Sequence, residues 1–163
     1  MSFTIRKAEA SDMASVLRLV NELAIHENEA DAVEVTVDDL IAHGTGNNPD
    51  FTCFVADTTD EGIVGIALTY FRFSTWKGRT VHLEDLVVRE NRRGEGIGMA
   101  LYSEIINFAH EHDVRRVEWV VLDDNHGAIG FYEASGAHVM KNWHTVQMHK
   151  EGMKKFLKDR GKI

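Results

Sequence analysis

Three glycines fall within five positions, at Gly94, Gly96 and Gly98, shortly after the apolar run "LVV", Leu86 to Val88. Glycine loses the most backbone freedom on folding, so this cluster marks a place where bare backbone is needed. A strand end, a glycine-rich turn and a helix N-terminus together make an anion site. Unpaired N–H groups and the positive end of the helix dipole converge there, and side chains would hold a phosphate away from them. Arg92 and Arg93 would add positive charge at the rim. Two sharper readings fail on spacing. A dinucleotide fingerprint, G-x-G-x-x-G, would need a glycine where Met99 stands, and the residues after Gly98 lack the Gly-Lys-Ser/Thr of a P-loop. Taken alone, the turn is as readily a tight strand-to-helix connection.

Other reactive side chains are spaced less suggestively. Glu84 and Asp85 are neighbours on a predicted strand, where successive side chains point to opposite faces. Simple alternation groups Glu84 with His82, Leu86 and Val88, and Asp85 with Val81, Leu83 and Val87, so the two would not share a pocket. Asp85 reads as a structural hydrogen-bond acceptor. Cys53, the single cysteine, excludes an internal disulfide; within "FTCFVAD" it reads as a buried strand thiol rather than a nucleophile. His110 and His112 lie two apart on a predicted helix, roughly 200° around it, and cannot share a metal. No Cys/His cluster exists, so no metal is expected.

The elements that must position these groups follow from periodicity. "FTIRKA", Phe3 to Ala8, alternates like a strand. Ser11 or Asp12 caps a helix with Met13, Val16, Leu17, Val20, Leu23 and Ala24 on one face. Thr36 with Asp39 forms a capping box opening a short helix through Ile41, and "HGTGNNPD" is a loop. Strands are expected at Phe51–Asp57, Ile63–Phe73 and Thr80–Arg89, joined by turns too short for anything but antiparallel hairpins. Ile97, Leu101, Ile105 and Phe108 mark a helix ending near Asp113. "RRVEWVVL" reads as a strand, "NHGAIGFYEAS" as a short helix stopped at Gly136, and "HVMKNWHTVQMH" as a final strand. The tail "EGMKKFLKDRGKI" forms a basic terminal helix. The expected class is one mixed α/β domain spanning 1–163, antiparallel in its first half, with a β-α-β crossover around the glycines.

Composition narrows the partners. Of 163 residues 44% are apolar and 27% charged, as in ordinary globular proteins, and no apolar run approaches membrane-spanning length. The N-terminus lacks the apolar core of a signal peptide, so a cytoplasmic protein is expected. The net charge of −8 and the absence of a long basic stretch argue against nucleic acid, and mildly favour a cationic small molecule.

The glycine turn gains meaning from a second motif. "RRGEGIG" contains R-x-x-G-x-G (Arg93, Gly96, Gly98), and Asn125, 27 residues beyond Gly98, opens "NHGAIGFYEASGA". This pair resembles the acetyl-CoA signature of the GNAT superfamily of N-acetyltransferases. "RKAEASDMASVLRLVNELAIHE", "YFRFSTWKGRTVHLEDLVV" and "VVLDDNHGAIGFYEASGA" are similar to its diamine acetyltransferase branch, which holds the spermidine/spermine and thialysine enzymes, with "STWKGRT" and "LED" closest to the thialysine type. The resemblance covers Ile5 to about Trp143. It implies the GNAT fold, a central mixed sheet with a β-α-β acetyl-CoA site flanked by helices. Arg93, Gly94, Glu95, Gly96, Ile97 and Gly98 would cradle the pyrophosphate, the main chain of Leu86, Val87 and Val88 would run beside the pantetheine, and Asn125 and Tyr132 would contact the cofactor arm. His26, Glu27, Trp76 and Glu84 would line the amine side. Homodimers built on late strands are common in such families, which singles out "WHTVQMH".

The implied reaction sets its own requirements. An alkyl ammonium with pKa near ~10 must lose a proton before attack, the oxyanion needs a donor, and the thiolate leaving group needs a proton. Glu84 would bind the amine or accept its proton through water, Val88 N–H would face the oxyanion, and Tyr132 would be the acid. Local alternatives remain at this stage: Asn125 as a helix cap, Tyr132 as a core tyrosine, His26 and Glu27 as a frayed helix end, and Trp76 as hairpin packing. Where the polyamine enzymes carry extra acidic residues, this chain has Lys141-Asn142-Trp143, which favours a shorter, lysine-like amine. A non-catalytic acyl-CoA sensor and a protein or peptide N-acetyltransferase are the competing functions.

Overall fold

A computed structural model describes residues 2–163, which divide into two compact units, one ending at Val120 and the other Val121–Ile163. In the first unit, strands β1 (Phe3–Lys7), β2 (Thr52–Thr58), β3 (Gly62–Ser74), β4 (Gly78–Val88) and β5 (Val117–Glu118) form one sheet in sequential order. The first four pair antiparallel, and β5 returns parallel to β4. The long β3–β4 hairpin closes at Ser74 and Gly78, as its short turn requires.

Helices cover both faces. Helices α1 (Met13–His26) and α2 (Val37–Gly44) bring Met13, Val16, Leu19 and Leu40 onto Cys53, Val55, Ile66, Leu68 and Val87. Helix α3 (Ile97–Glu111) covers the opposite face, where Phe108 meets Phe54 at 5.8 Å and Phe71 at 5.4 Å between ring centroids. The α2 capping box forms as expected, with Asp39 N–H donating to Thr36 Oγ1 and Thr36 N–H to Asp39 Oδ2. Asp12 does not cap α1. Its carboxylate accepts Arg6 at 2.7 Å and the Glu9 N–H at 2.8 Å, tying a short 3₁₀ turn to β1. Cys53 is buried, and burial pushes its thiol up to about 12, so it packs as a strand thiol.

Two strand expectations are corrected. Only Val117–Glu118 of "RRVEWVVL" joins the ladder, against Val81 and His82. Residues 138–149 form no strand among the described residues. Alternating apolar residues favour extended backbone, but a strand exists only where a neighbouring ladder takes its N–H and C=O groups. The second unit holds helices α4 (His126–Ala134) and α5 (Lys150–Asp159), the latter being the expected terminal helix. No helix among the described residues is long and apolar enough to cross a membrane.

Phe108 is the aromatic anchor that fixes α3 on the sheet. Phe108→Ala should lower the unfolding free energy by about 3–5 kcal/mol in urea titrations; a loss below ~1 kcal/mol would contradict this packing.

Candidate active site

The glycine turn is built as an open cradle. Gly94 and Gly96 adopt φ of 81° and 84°, in the left-handed region that side chains disfavour, and a Cβ at either would meet nothing within 4 Å. Gly98 differs, because it is already helical and a Cβ there would make ordinary contact with Val88 at 3.7 Å. Among the described residues, no amide from Gly94 to Met99 donates to a main-chain carbonyl. Ile97 is buried and anchors the helix start. The result is a row of free donors at the positive end of α3, a good fit to a pyrophosphate.

Arg92 is not at the rim. Its side chain is buried, with Nη1 2.8 Å from Glu61 Oε1 and Nε 3.0 Å from Glu95 Oε1. The guanidinium therefore fastens the cradle to the β2–β3 turn, and its charge is matched internally. Since the Glu95 carboxylate is taken by Arg92, the main-chain N–H is what Glu95 offers the cradle. Arg93 is exposed, and its Nε donates to Val88 O at 3.2 Å.

That last contact reveals the free edge of β4. Arg89 N–H donates to Val64 O on the β3 side. Alternation then turns the N–H and C=O groups of Leu86 and Val88 to the other edge, while Val87 faces β3. Because β5 pairs only with Val81 and His82, those groups stand beside the cradle with no ladder partner. A ligand lying along this edge would be held like an added strand.

The sequence pattern missed the device that places Glu84. Leu68 pairs with Asp85 but Thr69 with Leu83, which leaves Glu84 as the extra residue of a β-bulge. The bulge breaks the alternation. Val81 and Leu83 fall with Leu86 and Val88 on the α3 face, whereas His82 falls with Asp85 and Val87 on the α1 face. Glu84 leans to that same α1 side, accepting from Tyr70 Oη at 3.0 Å and lying 3.4 Å from His82 Nε2. The expectation that Glu84 and Asp85 face apart is therefore wrong.

Tyr70 and His82 were not singled out from sequence. Counting back along the hairpin from Ser74 and Gly78 would have placed them opposite each other. Glu84 remains half-exposed, and desolvation is the larger influence on its neighbours. Burial, then the charges of Glu84 and Glu27, push Asp85 up to about 6. No described hydrogen bond ends on the Asp85 carboxylate, so it is not the structural acceptor expected.

Glu27 follows α1 as its C-cap, its N–H donating to Leu23 O, so the helix end is ordered rather than frayed; His26 is the last helical residue. Trp76 sits at the β3–β4 turn, 77% exposed, and does not pack on its own hairpin. In the second unit Asn125 caps α4, its Oδ1 accepting Ala128 N–H at 3.1 Å. Tyr132 is half-buried on that helix and meets Phe131 edge-on at 5.3 Å.

Asp85 gives a pH signature. The folded chain holds its proton more tightly than the unfolded chain, whose carboxyl titrates near 3.8. Its contribution therefore falls as pH rises from about 4 to about 6 and is flat above. Asp85→Asn should be more stable than the parent at neutral pH, on the order of 2 kcal/mol by urea unfolding, with the two converging below pH ~4. A constant difference across that range would contradict the assignment.

Comparison with known proteins identifies the family. A family model described as Acetyltransferase (GNAT) family matches residues 16–137. A thialysine N-epsilon-acetyltransferase from Bos taurus is 35% identical over 160 residues, 92% of this chain and 94% of that one. A human spermidine/spermine N(1)-acetyltransferase-like protein 1 is 34% identical over 158 residues, 91% of this chain but 23% of its own length. Among solved structures, a mutant BH1408 protein from Bacillus halodurans superposes with a TM-score of 0.73 at 26% identity, covering 90% of this chain and 99% of that one. The chain belongs to the GNAT acetyltransferase family and is an N-acetyltransferase.

Proposed function

We propose that the chain, acting as one domain over 1–163, transfers the acetyl group of acetyl-CoA to the primary amine of a small cationic substrate. The observation that carries this reading is the grouping in the first unit: an open glycine cradle, an unpaired β4 edge, and a bulged, half-exposed Glu84 on the strand between. The family match runs from 16 to 137 and so crosses the boundary between the two units in sequence.

Acetyl-CoA, when bound, supplies the activated acyl group. The amides from Gly94 to Gly98 would hold its pyrophosphate, with Arg93 beside them, and the edge groups of Leu86 and Val88 would align its arm. Val88 N–H would face the acyl oxygen, where a fixed donor lowers the cost of developing charge. Glu84 would bind the ammonium and take its proton directly or through one water, which its exposure permits. Asn125 would hold the arm while capping α4, and Tyr132 would return a proton to the departing sulfur. His26, Glu27 and the exposed Trp76 would receive the substrate from the amine side.

The substrate class follows from charge and from the relatives. Their names include thialysine N-epsilon-acetyltransferases, and Lys141-Asn142-Trp143 lacks the carboxylates a long polycation would use. A thialysine- or lysine-like amine, or a short diamine, is the preferred substrate. The protein would work in the cytoplasm as a homodimer, with 138–149 at the interface. Val146, Trp143 and Met148 are 91%, 67% and 59% exposed there, a large apolar exposure for an unpaired segment.

Steady-state kinetics with thialysine, putrescine and spermidine test the chemistry. kcat/KM should be highest for thialysine, and Tyr132→Phe should lower kcat about 10²–10⁴-fold with little change in acetyl-CoA affinity. A clear spermidine preference would overturn the substrate assignment; acetyl-CoA binding without amine-dependent CoA release would point to a sensor instead. Sedimentation equilibrium should give about twice the 18.4 kDa chain mass, and Val146→Asp should return it to one; a monomeric parent would contradict the interface.

A further inference from the structure

Glu84 is held by two neighbours on the hairpin. Tyr70 Oη donates to its Oε2 at 3.0 Å, and His82 Nε2 lies 3.4 Å from the same oxygen. The far side of the imidazole decides what that nitrogen carries. His82 Nδ1 lies 3.2 Å from Arg72 Nη1. A guanidinium can only donate, so Nδ1 must be the acceptor and the ring proton must sit on Nε2, facing Glu84. Arg72 is in turn held by Glu118 of β5 at 3.0 Å, and Glu118 by Arg116 at 3.0 Å. The charged and titratable groups around His82 are therefore Tyr70 and Arg72 from β3, Glu84 from β4 and Glu118 from β5.

We propose that His82, set in its Nε2–H tautomer by Arg72, is a positioning residue that together with Tyr70 engages Glu84 Oε2 and leaves Oε1 to the substrate amine. This rests on the reading of Glu84 as the amine-side carboxylate. The ring does not relay the proton onward, because its other nitrogen faces a guanidinium that cannot accept one. The proton taken by Glu84 leaves instead through water at its exposed oxygen. Burial and the Arg72 charge both lower the pKa of His82, while Glu84 and Glu118 oppose them, with the net shift downward. The ring is thereby kept neutral at working pH, and Glu84 meets a dipole rather than a competing cation.

Three measurements on the full chain separate this proposal from the reading beneath it. Glu84→Gln tests the reading alone: unchanged amine turnover would remove Glu84 from the amine side whatever His82 does. Imidazole nitrogen NMR should find His82 as the Nε2–H tautomer near neutral pH, and Arg72→Met should mix the tautomers and raise the pH at which the ring protonates. An Nδ1–H tautomer, or no response to Arg72→Met, would overturn the proposal. Finally, His82→Leu should lower kcat for the amine about ten- to a hundredfold without changing KM for acetyl-CoA. It should also move the acid limb of kcat/KM to higher pH, since Glu84 loses a donor that favours its ionised form. His82→Gln, which keeps an amide donor, should recover much of the loss. Parental kcat and an unmoved acid limb in His82→Leu, with Glu84→Gln impaired, would refute the positioning role while sparing Glu84. If His82→Leu does not fold, the Gln variant and the NMR tautomer decide.

Discussion

The placement of Glu84 and its neighbours depends on one extra residue in a ladder. Between Leu83 and Asp85 the β3–β4 pairing slips by one position, and Glu84 is left without a partner opposite. A regular ladder would keep alternate residues on fixed faces, with Glu84 beside Leu86 and Val88 on the α3 face and Leu83 beside Asp85 and Val87 on the other. The bulge instead sends His82, Glu84 and Asp85 to the same side while keeping Leu83 in the core. It also resets which amides of β4 face outward. Before the bulge Val81 N–H bonds Arg116 O toward β5; after it, Leu86 and Val88 supply the outward groups. One slip thus sets both the carboxylate and the free edge.

The cradle follows a different logic, in which the visible charges are not the useful ones. Arg92, the most buried cation of "RENRR", is fully engaged by Glu61 and Glu95. A buried guanidinium without those partners would be severely destabilising. With them it links the β2–β3 turn to the glycine segment, so the open main-chain donors stay in place. The positive character left at the cradle is that of the amides and the α3 dipole, which cannot be neutralised by a salt bridge. Arg93 is the one arginine of the pair free to lie alongside a ligand.

How far the sequence reveals this varies with the range of the interaction. Local features were legible: the Thr36–Asp39 box, the Asn125 cap, both hairpin turns and the helix opened by the glycines depend on residues a few positions apart. The motif pair at Arg93–Gly98 and Asn125–Tyr132 was legible by resemblance, and it led to the family that the comparisons support. The bulge was harder to read in "VHLEDLVV": Val81, Leu83 and Val87 also satisfy an unbroken alternation, and only the set Val81, Leu83, Leu86 and Val88 carries the change of phase at Glu84-Asp85. The burial of Arg92 was hidden for a similar reason: Glu61 lies 31 positions away. The strand expected at 138–149 failed because periodicity describes one chain's preference, whereas a strand needs a partner.

The two carboxylates of "LED" then divide the work by environment rather than by type. Asp85, raised to about 6 by burial and by two neighbouring negative charges, ionises above the ordinary carboxylate range and is mostly charged at neutral pH. Glu84 is half-exposed and accepts from the Tyr70 phenol. Two close carboxylates raise each other's affinity for a proton, and this is the sense in which Glu84 acts on Asp85. Below about pH 6 the burial of Asp85 leaves it largely protonated, so the negative charge on this side grows as the pH rises through that point. A cationic substrate approaching Glu84 would also lower the Asp85 pKa through its own charge, so binding should draw Asp85 toward ionisation. Near pH 6 the second carboxylate would thus gain charge when a cation arrives, whereas at neutral pH it is already ionised.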